Sequence, residues 1–201
     1  MTLVDQINRT ARRIPVWGLY ILCALPAPYL LYLGLTGGLG REPIKALEHE
    51  LGEIALQLLI VGLTITPLRQ YLGVNLIRFR RAIGLMAFFY VFLHLLVWLV
   101  LDVAILSQIW ADILKRPYIT IGMAGFLCLL PLAATSNNRS VRRLGPRWRK
   151  LHKLTYVAVL LGGVHYIVLA KGLQLEPLLY MAVIVGLLAL RLPRFRRKQP
   201  A

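Results

Sequence analysis

The sequence predicts an all-α integral membrane protein in which six transmembrane helices form one bundle. Hydrophobic residues make up 58% of the 201 residues and the mean hydropathy is +0.67, which is too apolar for an ordinary soluble domain. The apolar residues fall into long stretches, and basic residues concentrate in alternate connections between these stretches. Both patterns are typical of a multi-pass membrane protein.

Each apolar stretch is interpreted as one membrane span. A helix needs about 20 apolar residues to cross a hydrocarbon core of about 30 Å. Several stretches are shorter, but the second can extend backwards to Pro43, because proline suits the first position of a helix. The predicted spans are 15–35, 51–68, 83–105, 118–134, 154–170 and 177–192.

The first stretch follows Arg9, Arg12 and Arg13, as the apolar part of a signal peptide would. It is long for that part of a signal peptide, and no small-residue cleavage pattern ends it. We therefore expect an uncleaved first helix.

The distribution of charge predicts the orientation in the membrane. Nineteen of the 24 Lys and Arg residues lie in the N-terminal tail, the loops 69–81 and 139–153, and the tail 191–198. Seven of the eight acidic residues lie in or beside the alternate connections, which hold few basic residues. By the positive-inside rule, both termini and the basic loops are expected to face the cytoplasm. Basic loops of this kind contact lipid headgroups, so the net charge of +16 does not call for nucleic acid.

The connections between the spans are too short for a soluble domain, so we expect residues 1–201 to form a single transmembrane domain. The sequence has no G-x-G-x-x-G dinucleotide motif, no P-loop and no recognisable flavin-binding domain. Electrons that pass through this chain would therefore be delivered by another molecule.

Three of the four histidines lie within or at the edge of apolar stretches. An ionisable residue at bilayer depth is costly and usually serves a ligand or a pathway. His94 follows Arg80 by 14 residues and His165 follows His152 by 13, and each step spans about 20 Å at a rise of about 1.5 Å per residue. His94 and His165 should therefore reach one depth in the outer half of the bilayer, where two imidazoles are able to hold one haem between two helices.

His152 presents a different problem, because its counterpart on the third helix is Arg80, which is not a usual haem ligand. An inner haem would have His152 on one side and an unconventional or mobile ligand on the other; a solvated interfacial histidine is the alternative. A regular helix places His152 and His165 about 140° apart, so the helix must tighten or His152 must lie in a frayed first turn. Arg80, Arg81 and Arg149 are candidate partners for haem propionates, although the positive-inside rule also explains them.

Other residues lie near these histidines in the sequence. His49 stands among acidic residues at the outer mouth of the second helix, where it could approach a haem, relay protons, contact a partner or simply be exposed. Trp98 lies one turn after His94, and Tyr166 adjoins His165. Such aromatic residues are able to line a haem pocket, although interfacial belts and helix packing explain most membrane aromatics.

Several motifs follow one another along nearly the whole chain. They are Gly37-Gly38-Leu39-Gly40, then Pro43-Ile44-Lys45 and His49, Thr64-Ile65-Thr66-Pro67-Leu68, Leu76-Ile77-Arg78 leading through Arg80-Arg81 to His94, Arg116-Pro117-Tyr118-Ile119-Thr120, and finally Trp148, Leu151-His152, Tyr156 and His165-Tyr166. Together they resemble MsrQ, the family of haem-binding membrane subunits of bacterial periplasmic methionine sulfoxide reductases. That family lies within the ferric-reductase-like transmembrane group, which includes NADPH oxidases.

The resemblance implies a six-helix protein with one or two b-type haems. Such a protein would pass electrons from the quinone pool or a cytosolic flavin reductase to a periplasmic molybdopterin-containing reductase that repairs oxidised methionines. FMN is also associated with the family, but no motif here identifies its site. Related oxidases place two histidines on each of two ligand helices, whereas this chain has Arg80 where the inner ligand of the third span is expected.

Two other functions stay open on the sequence alone. A stand-alone reductase would pass electrons directly to ferric ion, oxygen or quinone without a protein partner. A small transporter or scaffold would use the histidines as proton relays or packing groups. The lack of charged residues in the middle of most spans argues against proton-coupled transport.

Overall fold

The computed structural model describes residues 2–170 and 174–191, and these residues form helices and short connections without any strand. A 3₁₀ turn at Ile77–Phe79 precedes the fifth helix, and a π-helix at Val97–Val103 follows it. The α-helices are α1 (Leu3–Arg13), α2 (Val16–Ala24), α3 (Pro26–Thr36), α4 (Pro43–Leu72), α5 (Arg80–Leu96), α6 (Leu106–Lys115), α7 (Pro117–Ala134), α8 (Asn138–Leu144), α9 (Pro146–Leu151), α10 (Leu154–Leu169) and α11 (Leu175–Ala189).

Within the described residues, five helical segments are long and apolar enough to cross a membrane. They are Val16–Thr36, Pro43–Leu72, Ile77–Val103, Pro117–Ala134 and Pro146–Leu169, which coincide with the first five predicted spans. The sixth prediction falls on α11, an apolar helix of 15 residues that is shorter than a full span. Leu192, the end of that prediction, and the basic tail beyond it lie outside the described residues, so the sixth span stays a prediction.

Helix α4 begins at Pro43, as the sequence predicts. Proline is suited to this position because its missing N–H would have no helical partner there. The helix ends at Leu72. The next residue, Gly73, has a φ of 71°, which lies in the left-handed region where residues with a side chain are strained. Between these signals α4 runs for 30 residues, or about 45 Å, which exceeds the thickness of the hydrocarbon core.

The first predicted span is two helices rather than one. Helix α2 ends at Ala24 and α3 begins at Pro26, because proline cannot supply the N–H that a continuous helix needs. The break is held by α5, where the fully buried Tyr90 donates its hydroxyl hydrogen to the Cys23 carbonyl oxygen at 2.7 Å.

Tyr90→Phe is expected to lower the free energy of unfolding by about 0.5–1.5 kcal/mol, because the variant lacks the buried hydrogen bond to Cys23 while the ring stays in place. Chemical denaturation of the detergent-solubilised protein measures this change. Tyr29→Phe is the matched control, since Tyr29 is 61% exposed. Equal stability of the two variants would contradict the assigned bond.

The core of the bundle is formed by two antiparallel helix pairs. Helix α4 packs along α5, and α7 packs along α10, with α11 against α10 and α4. Buried residues from all five helices meet in the largest cluster: Leu56, Leu59, Leu63, Ala87, Leu129, Leu132, Ala158, Val159 and Ile184. This arrangement brings the helices that carry His94 and His165 to opposite sides of one interior space.

The N-terminal helix contacts the basic loop that follows α4. The Asn8 side chain donates to the Gly73 carbonyl oxygen at 3.0 Å and accepts from the Asn75 N–H at 2.8 Å. We call this side of the bundle the basic end. The opposite side, where α4 and α7 begin, is called the acidic end. The contact places two basic segments on one side, as predicted; which side of the membrane they face stays a prediction.

Candidate functional site

His94 on α5 and His165 on α10 meet inside the bundle. Their ring centroids are 6.2 Å apart, and the ring planes are nearly perpendicular at 84°. Both side chains lie nearer the acidic end than the basic end, because each contacts the first turns of a helix that begins there. The two residues that helical rise places at one depth are thus neighbours in the structure.

Each histidine is held by a backbone carbonyl of a neighbouring helix. Nδ1 of His94 lies 2.8 Å from the carbonyl oxygen of Glu48 on α4. Nδ1 of His165 lies 2.7 Å from the carbonyl oxygen of Tyr118 on α7. A carbonyl oxygen accepts only, so each Nδ1 carries the proton and donates it. In a neutral imidazole the Nε2 lone pair is then available to a metal.

Two glycines lie directly against these rings. A Cβ atom at Gly52 would be 3.0 Å from Nδ1 of His94, and one at Gly122 would be 2.9 Å from Nδ1 of His165. Sequence reasoning missed both glycines. The signal that could have found them is a glycine within an apolar helix, where it weakens the helix unless close packing requires it.

A cavity of about 280 Å³ lies beside the two rings, between α4, α5, α7 and α10. Its walls are mostly apolar and include Leu56, Leu59, Val91, Ile119, Phe126 and Leu129. Polar side chains gather toward the acidic end and include Lys45, Glu48, His49, Glu53, Asp102 and Arg116. A concave apolar site with a few polar groups is the usual form of a cofactor site.

Trp98 lines this cavity with an N–H group that lacks an acceptor. The residue is 6% exposed and lies in the π-helix that follows α5. Its Nε1 is buried and has no hydrogen-bond partner among the described residues. An unsatisfied buried donor costs about 1–3 kcal/mol of stability. A bound group with an acceptor atom at this position would remove that cost. Local π-helices are frequent at functional sites.

His152 lies away from the cavity, at the basic end. It follows α9 and precedes α10, so it occupies the turn before the helix rather than a tightened helix. Its ring stacks on Trp148 with centroids 3.8 Å apart, and Nε2 lies 3.1 Å from Oγ1 of Thr135. That hydroxyl already donates to the Pro131 carbonyl oxygen at 2.6 Å, so it accepts from His152 Nε2–H.

The predicted arginines lie outside the cavity as well. None of Arg80, Arg81 and Arg149 lines it, although Arg80 is close enough to His152 to interact with it electrostatically. The structure therefore brings His94, His165 and His49 to one cavity and leaves His152 and the three arginines elsewhere. A role for these four residues at an inner haem stays a prediction.

The chain is similar to proteins of one known family. A family model described as ferric reductase like transmembrane component matches residues 51–163, which cover most of α4, all of α5 and α7, and α10 up to two residues before His165. The chain is 51% identical over 180 residues to a protein of Agrobacterium fabrum named protein-methionine-sulfoxide reductase heme-binding subunit MsrQ. That match covers 89% of this chain and 84% of the relative. The chain belongs to the MsrQ family.

Other MsrQ proteins show the same similarity. Those of Brucella ovis and Brucella canis are each 47% identical over 189 residues, which is 92% of this chain and 86% of each relative. No solved structure matches the chain. Membership of MsrQ, within the ferric reductase-like transmembrane family, confirms the resemblance seen in the sequence motifs.

Proposed function

We propose that this protein is a membrane electron-transfer subunit that holds a b-type haem between His94 and His165. The distance between the two rings carries the proposal. Two imidazoles that would bind one metal ion from opposite sides, through bonds of about 2.0–2.1 Å, have ring centres roughly 6.3–6.5 Å apart. The observed separation of 6.2 Å is close to that range. The names of the relatives, which include the words heme-binding subunit, support the choice of ligand.

The residues around the cavity fit such a group. Among the described residues Nε2 of both histidines has no hydrogen-bond partner, and Nδ1 makes the bond to a backbone carbonyl. Gly52 and Gly122 leave room for the rings, and Trp98 offers an N–H to a carboxylate such as a haem propionate. When bound, the haem supplies a one-electron redox centre.

The charge distribution supports an orientation in the membrane, and the names of the relatives support a reductase as the electron acceptor. We infer that the basic end faces the cytoplasm and that the histidine pair lies toward the periplasm. Electrons would enter from the quinone pool or a cytosolic flavin reductase and leave to a periplasmic molybdopterin-containing methionine sulfoxide reductase. The relatives are named as subunits of protein-methionine-sulfoxide reductase. A second haem at His152 is a proposal from its position in the sequence and from the family resemblance, and a role for FMN rests on the resemblance alone.

The test is redox spectroscopy of the purified protein, followed by turnover. Protein from haem-replete cells should carry haem with a Soret band and a sharp α-band on reduction. After reduction, the haem should be reoxidised by the periplasmic reductase together with a methionine sulfoxide substrate. A folded protein without haem would refute the proposal. Equal reoxidation by ferric ion, oxygen or quinone without the reductase would instead support a stand-alone reductase.

His152→Ala is expected to leave the haem of the His94 and His165 pair in place, because His152 contacts Thr135 and Trp148 and not the cavity. The haem-to-protein ratio and the reduced spectrum measure this. If the wild-type protein carries a second haem, the ratio should fall by one haem and the remaining spectrum should be unchanged. Loss of all haem from this variant would contradict the pairing.

A further inference from the structure

Each histidine of the pair is held by a helix other than its own, and the two holding points are built alike. On α4 the accepting carbonyl belongs to Glu48 and the glycine against the ring is Gly52, four residues later. On α7 the carbonyl belongs to Tyr118 and the glycine is Gly122, again four residues later. The same spacing on two separate helices points to one physical requirement.

That requirement follows from the geometry of an α-helix. The carbonyl oxygen of a residue in a helix accepts a hydrogen bond from the N–H of the residue four positions later. The Glu48 oxygen therefore already accepts from the Gly52 N–H. Its second lone pair is free to accept another donor. Each Cα–Cβ bond in a helix tilts toward the N-terminus, so a side chain four positions later covers this carbonyl. A glycine at that position leaves the carbonyl open.

The distances show how tightly the rings use this opening. A Cβ at Gly52 would lie 3.0 Å from Nδ1 and 3.2 Å from Cε1 of His94. A Cβ at Gly122 would lie 2.9 Å from Nδ1 and 3.0 Å from Cε1 of His165. In both cases the added Cβ would crowd the ring edge that donates to the carbonyl. By contrast, a Cβ at Gly84 or Gly186 would meet nothing within 4 Å.

We propose that Gly52 and Gly122 are positioning residues: each opens the carbonyl one turn before it to the Nδ1–H of a haem-binding histidine. The two bonds fix both rings in the tautomer with a free Nε2 and hold the ring planes nearly perpendicular. This inference deepens the proposed function and rests on it. A hydrogen bond of this kind makes an imidazole a stronger electron donor to its metal, and its loss should raise the reduction potential.

The test compares Gly52→Ala and Gly122→Ala with Gly84→Ala and Gly186→Ala. Alanine stabilises a regular helix relative to glycine, so all four variants keep the helical propensity needed to fold. The first two should bind haem about 10–100-fold more weakly, as do other changes to groups that orient metal-binding histidines. They should also show a higher reduction potential. In the ferric low-spin state, their electron paramagnetic resonance signal should differ from the signal that nearly perpendicular imidazoles give. The two controls should match the wild type.

Nitrogen-15 NMR of the haem-free protein separates this inference from the proposed function. In the wild type, His94 and His165 should both carry the proton on Nδ1; Gly52→Ala should disturb only His94, and Gly122→Ala only His165. If both variants keep the haem affinity, spectra and tautomers of the wild type, the inference is overturned while the proposed function is not affected. Unfolding of both variants where both controls fold would also overturn it in favour of a packing role. A wild-type protein that binds no haem but shows these tautomers would refute the proposed function alone.

Discussion

His94→Ala and His165→Ala are each expected to abolish haem binding at the pair. Either change removes one of the two imidazoles whose rings lie 6.2 Å apart, and the remaining imidazole supplies only one ligand. The loss of affinity should exceed the roughly 10–100-fold that changes to orienting groups cause. The haem-to-protein ratio after purification and the Soret absorbance measure it.

Two controls make this result specific. His49→Ala should retain haem if His49 only lines the polar part of the cavity, since its ring is not part of the pair. In His94→Gly or His165→Gly, imidazole added to the medium should restore a bis-imidazole spectrum, because the space left by the side chain admits the free ligand. Wild-type haem content in both alanine variants would contradict the assignment of the pair.

Arg191→Ala is expected to lower the free energy of unfolding by about 1.5–3 kcal/mol, the range for a hydrogen bond made by a charged group. The Arg191 guanidinium donates to the Leu63 carbonyl oxygen at 2.6 Å and to the Tyr156 hydroxyl at 3.0 Å. That carbonyl has no regular helical donor, because Pro67 stands four residues later and carries no N–H. The arginine therefore satisfies a buried acceptor that the helix itself leaves open.

A double-mutant cycle with Pro67→Ala tests the reason for this cost. Alanine at position 67 restores the N–H, so Arg191→Ala should cost clearly less in that background than in the wild type. Arg139→Ala, at an exposed position, is the matched control and should change stability by less than about 0.5 kcal/mol. Denaturant titration followed by circular dichroism measures all variants. An equal cost of Arg191→Ala in both backgrounds would contradict the role given to Pro67.

Much of the fold could be predicted from local patterns. Hydropathy located the first five spans to within about eight residues at either end, and Pro43 marked the start of α4. The break at Pro26 was missed, because hydropathy continues across it and only the backbone records the missing N–H. The π-helix after α5 was missed for a related reason, since the apolar pattern does not distinguish it from an α-helix.

The candidate site was predicted less completely than the fold. The helical rise along two helices of the same direction predicted that His94 and His165 lie at one depth, and their rings are neighbours in the structure. Trp98 and Tyr166, which follow these histidines in the sequence, line the same cavity. The helical rise gave no information on the backbone acceptors at Glu48 and Tyr118. These carbonyls carry no side-chain signal, and glycine is usually noticed for its conformation rather than for the contact it permits.

The sequence by itself determined the membrane class, the positions of the first five spans and the shared depth of the two histidines. These properties depend on residue hydropathy and on the fixed rise of an α-helix, which are local quantities. Only the tertiary structure decided which carbonyl holds each ring, which glycines make room for it and that His152 contacts Thr135 instead of the cavity. These contacts depend on how each helix is rotated and placed against its neighbours, which the packing of the whole bundle determines.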